Sequence, residues 1–309
     1  MRVRTLEDSI DGSGRPPGWA TTSWDRSMIR RALLPAVLVA STASCATSGG
    51  RTIAPHLGYD AILEAAATYR TSDTSRIEID VAGETIESDV STDAILDLTF
   101  EPRDDHVSVT ARYRRFSARA TSPLGPEQTS TEEAIEGPLV FRIDPVGAAT
   151  VVSTPSVSGA AARFLTPAAT ASTFFPRVPG RAVARGDTWT DTVLVDADQA
   201  GGSVAGTSVV TYTIVGDTLI RERYLVRVDL AGEDERVLSS DQAGMEIRQA
   251  LAGTSTGWFL WDPALGLPYE SVRDSELVGT MELAEVPFPF SIRLTSRNES
   301  RLVEAESDD

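Results

Sequence analysis

The sequence predicts a mainly β fold, with long antiparallel strands in a strongly curved sheet, an open barrel or half-barrel, and one or two short helices. Three observations carry this. Apolar and polar residues alternate with period two over several stretches, some stretches run to about ten residues or more, and each keeps one polar face. Long strands with one wet face suit a curved, open sheet better than a small sandwich.

In chain order, Tyr59 to Arg70 places Ile62, Leu63, Ala66 and Tyr69 at helical spacing and predicts one short helix. Ile77, Ile79 and Val81 alternate with Arg76, Glu78 and Asp80, and Val107, Val109, Ala111 and Tyr113 alternate with Ser108, Thr110, Arg112 and Arg114, so both segments read as strands. The Ala-rich stretch Gly159 to Phe175, with Phe164, Leu165, Phe174 and Phe175, is expected to pack as a helix or loop on the apolar face, interrupted at Pro167. Residues 176–187 read as a linker between two halves. Val210, Tyr212 and Ile214 lead through Gly216-Asp217 to Tyr224, Val226, Val228 and Leu230, a long hairpin with its turn at 216–217. Phe288, Phe290, Ile292 and Leu294 alternate with Pro289, Ser291, Arg293 and Thr295 and form a further strand near the end of the sequence.

The N-terminal segment follows another logic. After Met28-Ile29-Arg30-Arg31 comes an apolar run, Ala32 to Ala40, and then the small residues Ser41-Thr42-Ala43-Ser44 before Cys45. A cationic segment, a short apolar run and small residues at a cleavage point are the parts of a secretory signal. The run is too short to span a bilayer. Because it ends on Cys, it resembles the lipobox of bacterial lipoproteins. Thr42 stands where that family usually has Leu, while Ala43 and Ser44 fit. The resemblance implies lipidation of Cys45 and a signal peptide at 28–44; Ala46-Thr47-Ser48-Gly49-Gly50 read as a flexible tether, 45–57, before the β-rich domain at 58–309 that the alternation predicts. Residues 1–27 carry Glu7, Asp8, Asp11 and Asp25 where a basic segment is required, and read as an upstream extension with Met28 as the true start. Ala46 after the Cys, in place of the Asp that signals inner-membrane retention, implies the outer membrane, on its periplasmic side or at the cell surface.

Composition narrows the partners. The formal charge is −17, all 28 basic residues are Arg, and residues 1–44 hold six Arg against four acids, which leaves −19 from Cys45 onward. Such a surface repels phosphate backbones, so no nucleic-acid partner is expected. One Cys excludes an internal disulfide, and no cofactor or metal site is expected.

Several motifs are weighed and set aside. Gly253-Thr254-Ser255-Thr256-Gly257 matches the nucleophile elbow of hydrolases, but that chemistry needs a strand-to-helix turn and a later His. The two His residues, His56 and His106, lie upstream, and the β-prone run Trp258-Phe259-Leu260-Trp261 follows. Asp196-Ala197-Asp198-Gln199-Ala200-Gly201 starts like a calcium loop, yet Ala200 and Thr207 occupy ligand positions. Asp104-Asp105-His106 reads as a turn, Arg185-Gly186-Asp187 is too short a match to carry weight, and acid pairs cannot be chosen by spacing among 45 acids. The segment Phe175 to Trp189, ending in Gly186-Asp187-Thr188-Trp189, resembles the Gly-Asp-x-Trp phrase of bacterial lipoproteins with DUF6263-like domains, a resemblance that implies no activity. Gly186-Asp187 would form a turn, and Trp189 would anchor the next strand in the core. Trp258, Phe259, Trp261 and Tyr269 are expected in the core, with Trp261 near a strand end. Ser271, Arg273 and Ser275 break the inward apolar set, which fits a solvated strand end better than the mouth of a cavity.

The functional expectation is a non-enzymatic, membrane-anchored envelope lipoprotein. Its partners would be the membrane, through lipid on Cys45, and an apolar or amphipathic ligand sheltered in the curved sheet. The alternatives are a structural or protein-interaction module that binds another envelope protein and, behind it, a hydrolase.

Overall fold

The computed structural model describes residues 54–62, 66–123, 125–199, 202–242, 245–284 and 286–303. The lipobox with Cys45, the signal segment 28–44, residues 1–27 and most of the tether lie outside them.

The described residues open with β1 (His56–Leu57) and a 3-10 turn at Tyr59–Ala61. Three long strands follow, β2 (Ala66–Val81), β3 (Glu84–Pro102) and β4 (Val107–Ser122), and β5 (Gly125–Thr131) folds back on β4. Short elements come next: β6 (Ile135–Glu136), β7 (Leu139–Ile143), β8 (Ala149–Ser153), β9 (Ser156–Val157), α1 (Ala161–Phe164), α2 (Pro167–Phe174) and β10 (Arg181–Ala182). Six long strands complete the chain: β11 (Thr188–Gln199), β12 (Gly202–Ile220), β13 (Arg223–Gln242), β14 (Met245–Asp262), β15 (Leu267–Leu283) and β16 (Phe290–Val303). Twelve strands form one antiparallel sheet in the order β11-β12-β13-β14-β15-β16-β2-β3-β4-β7-β8, with β5 on β4. The pairing of β16 with β2 joins the early and late strands into one surface. The mainly β fold expected from the alternation is what the chain adopts.

The sheet curls without closing. Arg236 of β13 and Asp73 of β2 act on each other electrostatically, although β14, β15 and β16 lie between their strands. Flat, four strand spacings would separate them by about 19 Å. Glycines permit the curl. Gly206, Gly253, Gly257 and Gly279 all point to the inner face, and a Cβ at any of them would fall within 2.6 Å of a neighbouring strand's carbonyl oxygen. At these positions the strands coil in a way that side-chain-bearing residues resist.

The apolar part of the inner face is filled from above. As Pro167 led one to expect, the segment is not one helix: α1 ends at Phe164 and Pro167 opens α2, where its missing N–H costs nothing in the first turn. The helix packs against both edge strands, β8 and β11, and bridges the gap that the unpaired edges leave. Phe175 at its end meets Tyr59 at 5.4 Å, Phe100 at 6.3 Å and Phe141 at 6.1 Å, while Phe174 meets Tyr69 at 5.2 Å. Tyr59 also packs edge-on to Trp261 at 5.0 Å and donates its hydroxyl to the Pro176 carbonyl at 2.9 Å.

Three local expectations need correction. Among the described residues of the predicted helix from Tyr59 to Arg70, Tyr59–Ala61 form a 3-10 turn and Ala66 onward belongs to β2, and Tyr59, Ile62 and Tyr69 reach the core. The β12–β13 turn lies at Arg221-Glu222, at φ 47° and 65°, and Gly216 marks a bulge inside β12. Trp261 is fully buried near the end of β14, as expected, but Trp189 is less deep than a core anchor: it is half-buried on the edge strand, packed against the core and stacked on Tyr212 at 5.2 Å, with its Nε1–H donated to the Arg177 carbonyl at 3.2 Å. The turn before Trp189 forms as read, with Gly186 at φ 90° and the Asp187 carboxylate accepting the Ala184 N–H.

Candidate functional site

Two surfaces of the sheet carry organised polar chemistry: a layer on the inner face and a groove on the outer face. The inner layer separates two apolar clusters. One is the large core beneath α2, and the other gathers Leu251, Leu277 and Ile292 with Ile77, Ile79 and Leu238. Between them the inward positions of successive strands are Ser208, Asp234, Ser255, Arg273, Asn298 and Asp73, as the register of β12 to β16 and β2 requires.

Each central member faces a glycine across the ladder: Asp234 faces Gly253, Ser255 faces Gly232 and Arg273 faces Gly257. The missing side chains clear a lane along which the Arg273 arm crosses β14. Its Nη2 reaches Ser255 Oγ at 2.8 Å, Ser208 Oγ at 2.9 Å and both Asp234 oxygens at 2.9 and 3.1 Å. One nitrogen with two hydrogens serves four oxygens, so these bonds are shared, and Arg273 Nε is buried without a partner among the described residues.

Burial alone would raise the Asp234 carboxyl, whose side chain is 1% exposed. Hydrogen bonds from Ser208 and Ser255 and the charges of Arg273 and Arg236 outweigh burial and hold it below the usual carboxylate range. At Asp73, burial wins over the Ser75 hydrogen bond and Arg236 and raises the carboxyl. Burial likewise lowers the Arg236 guanidinium, against the pull of Asp234 and Asp73. The layer therefore holds two acids and two guanidiniums in balance.

This places the residues singled out from sequence. Ser271, Arg273 and Ser275 lie in the middle of β15, so the solvated-strand-end reading is corrected: they belong to a polar layer inside the sheet. Ser255 sits mid-strand in β14, not on a strand-to-helix turn, and its Oγ accepts from Arg273. The two imidazoles pair close by in sequence, His56 with Asp60 at 3.0 Å and His106 with Asp105 at 2.6 Å. Among the described residues no group of three or more His, Cys, Asp or Glu is placed to hold a metal ion. Phe259, Trp261 and Tyr269 are buried, and Trp258 is partly buried against the core with the Arg227 guanidinium 5.0 Å from its ring.

On the outer face, two neighbouring cross-strand rows enclose a groove of about 810 Å³. One row, from β4 to β14, is Thr121, Asp89, Arg76, Thr295, Glu276 and Thr254. The other is Arg119, Ser91, Thr74, Arg297, Asp274 and Thr256. Arg76 pairs with Asp89 at 2.9 Å and Arg297 with Asp274 at 3.1 Å. The three Arg and three acids cancel, so this strip is neutral on a chain of −17.

No protein-family model and no curated protein matches the sequence. Among solved structures, the chain is similar to Pseudomonas aeruginosa OccK2 (OpdF) at TM-score 0.24 and 8% identity, over 79% of this chain and 100% of that one. Salmonella typhi OmpF follows at TM-score 0.23 and 4% identity, over 76% and 97% of the two chains. The botulinum neurotoxin serotype C1 binding domain gives TM-score 0.10 and 6% identity, over 80% and 85%. Likenesses this weak carry no statement about function.

Proposed function

We propose that this chain is a lipid-anchored protein of the cell envelope whose folded body stands in water and acts by binding rather than by catalysis. The lipobox-like segment ending at Cys45 supports the anchor. The outer face of the sheet supports the watery setting. Arg76, Arg297, Asp89 and Asp274 are exposed near the middles of long strands, and an Arg facing lipid at that depth costs about 2–4 kcal/mol. This charged, hydroxyl-rich outer face is the observation that carries the proposal, since contact with a membrane then falls to the lipid on Cys45.

Of the two binding readings, an interaction module is better supported than a carrier of apolar ligands. Phe174, Phe175 and Tyr59 already occupy the apolar part of the inner face, so a carrier would have to expel α2 before loading. The test is mass spectrometry of the purified protein's N-terminal peptide. A diacylated or triacylated peptide beginning at Cys45 is expected. An unmodified Cys45 within a longer peptide would overturn the proposal.

A further inference from the structure

The outer groove has the dimensions and lining of a site for a linear polymer. It crosses six strands, β4, β3, β2, β16, β15 and β14, which at about 4.8 Å per spacing makes it about 24 Å long, and its two rows stand about 7 Å apart. Six hydroxyls line it, three per row, interleaved with three guanidiniums and three carboxylates. Hydroxyls donate and accept, guanidiniums only donate and carboxylates only accept, so five of the six strands offer a hydroxyl that can switch role, and β15, with Glu276 and Asp274, offers acceptors alone.

The neutrality of the strip decides among occupants. A polyanion would meet Asp89, Asp274 and Glu276, and a polycation would meet Arg76, Arg119 and Arg297. A peptide laid across the strands presents its groups about every 3.4 Å and runs out of step with a 4.8 Å ladder. An extended glycan advances by about one strand spacing per ring and carries hydroxyls along both edges, one edge for each row. We infer that the groove between the Arg76 and Arg297 rows binds a neutral linear polysaccharide. The inference rests on this groove and is independent of the lipid anchor.

The test is calorimetric titration of the purified protein with β-1,4-linked N-acetylglucosamine oligomers of two, four and six units. Affinity is expected to rise with length to the six-strand span. Thr74→Val with Thr295→Val removes the two central hydroxyls, keeps β-branched shape, and is expected to weaken binding of the six-unit oligomer about tenfold with an unchanged unfolding midpoint. Arg297→Gln should do the same, and Thr211→Val, on the outer face away from the groove, should leave binding intact. Absence of binding at millimolar oligomer, binding indifferent to the groove variants, or tighter binding of polygalacturonate or polylysine would each overturn the inference.

Discussion

Replacing Arg273 with Met tests whether the inner polar layer is held by charge. Asp234 is 1% exposed and takes its direct counter-charge from Arg273 Nη2 at 2.9 Å, with Arg236 acting from farther off. Removing one partner of a buried pair costs about 3–5 kcal/mol, because the other charge is left without compensation. The Arg273 side chain is 26% exposed, so water screens part of its attraction, and the loss falls at the lower end, about 3 kcal/mol. Met keeps most of the apolar stem across the glycine lane, so packing contributes little to the difference. Against a stability of about 5–15 kcal/mol, this loss is easily read by urea unfolding.

The pH dependence separates charge from packing. In the native protein the Asp234 carboxyl is held below its unfolded value, so its contribution is present above the unfolded pKa of about 3.9 and fades as pH falls through the folded pKa. Without Arg273, burial is opposed only by the Ser208 and Ser255 hydrogen bonds and by Arg236, so the carboxyl rises from its native position. The penalty is then full at neutral pH and shrinks as pH falls and Asp234 in the variant takes a proton before the native group does. In an Arg273→Met, Asp234→Asn double variant the loss should fall to about 1 kcal/mol, well short of the sum of the single losses. A single-variant loss below about 1 kcal/mol, or one equal at pH 7 and pH 4, would refute the reasoning.

The different burial of the two Trp residues gives a paired expectation. Trp261→Ala, at a fully buried position against Tyr59, should cost about 3–5 kcal/mol, whereas Trp189→Ala on the half-buried edge should cost about 2 kcal/mol, both by urea unfolding. Equal losses would contradict the burial difference. At the β12–β13 turn, Glu222 holds φ 65°, a region costing about 1–2 kcal/mol for residues with a Cβ, so Glu222→Gly should raise stability by about 1 kcal/mol. A lowered midpoint would show that the turn is held by other means.

The strands were legible wherever one face is buried, as at Val107–Tyr113 and Val210–Ile214, because burial enforces period-two alternation. The helical reading of Tyr59–Arg70 failed because spacing alone cannot tell a helix face from a turn followed by a strand start, and long-range packing of Tyr59 and Tyr69 chose the latter. At the β12–β13 turn, Gly216-Asp217 carried the stronger local signal, yet the register of two strands about twenty residues long overrode it. Arg273 stood out as a polar residue in an inward phase, but its partners Asp234 and Ser208 lie 39 and 65 residues away, and no local pattern reports them. The outer groove was invisible for the same reason: its rows exist only once six strands are in register.

The central claim, a water-facing body held to a membrane by lipid alone, is tested most directly by fractionating cells that express Cys45→Ser. The account predicts that the unaltered protein sediments with membranes and that the variant is released in soluble, folded form. A variant that stays with membranes after alkaline carbonate washing would mean that the sheet itself enters the bilayer, and would contradict the account.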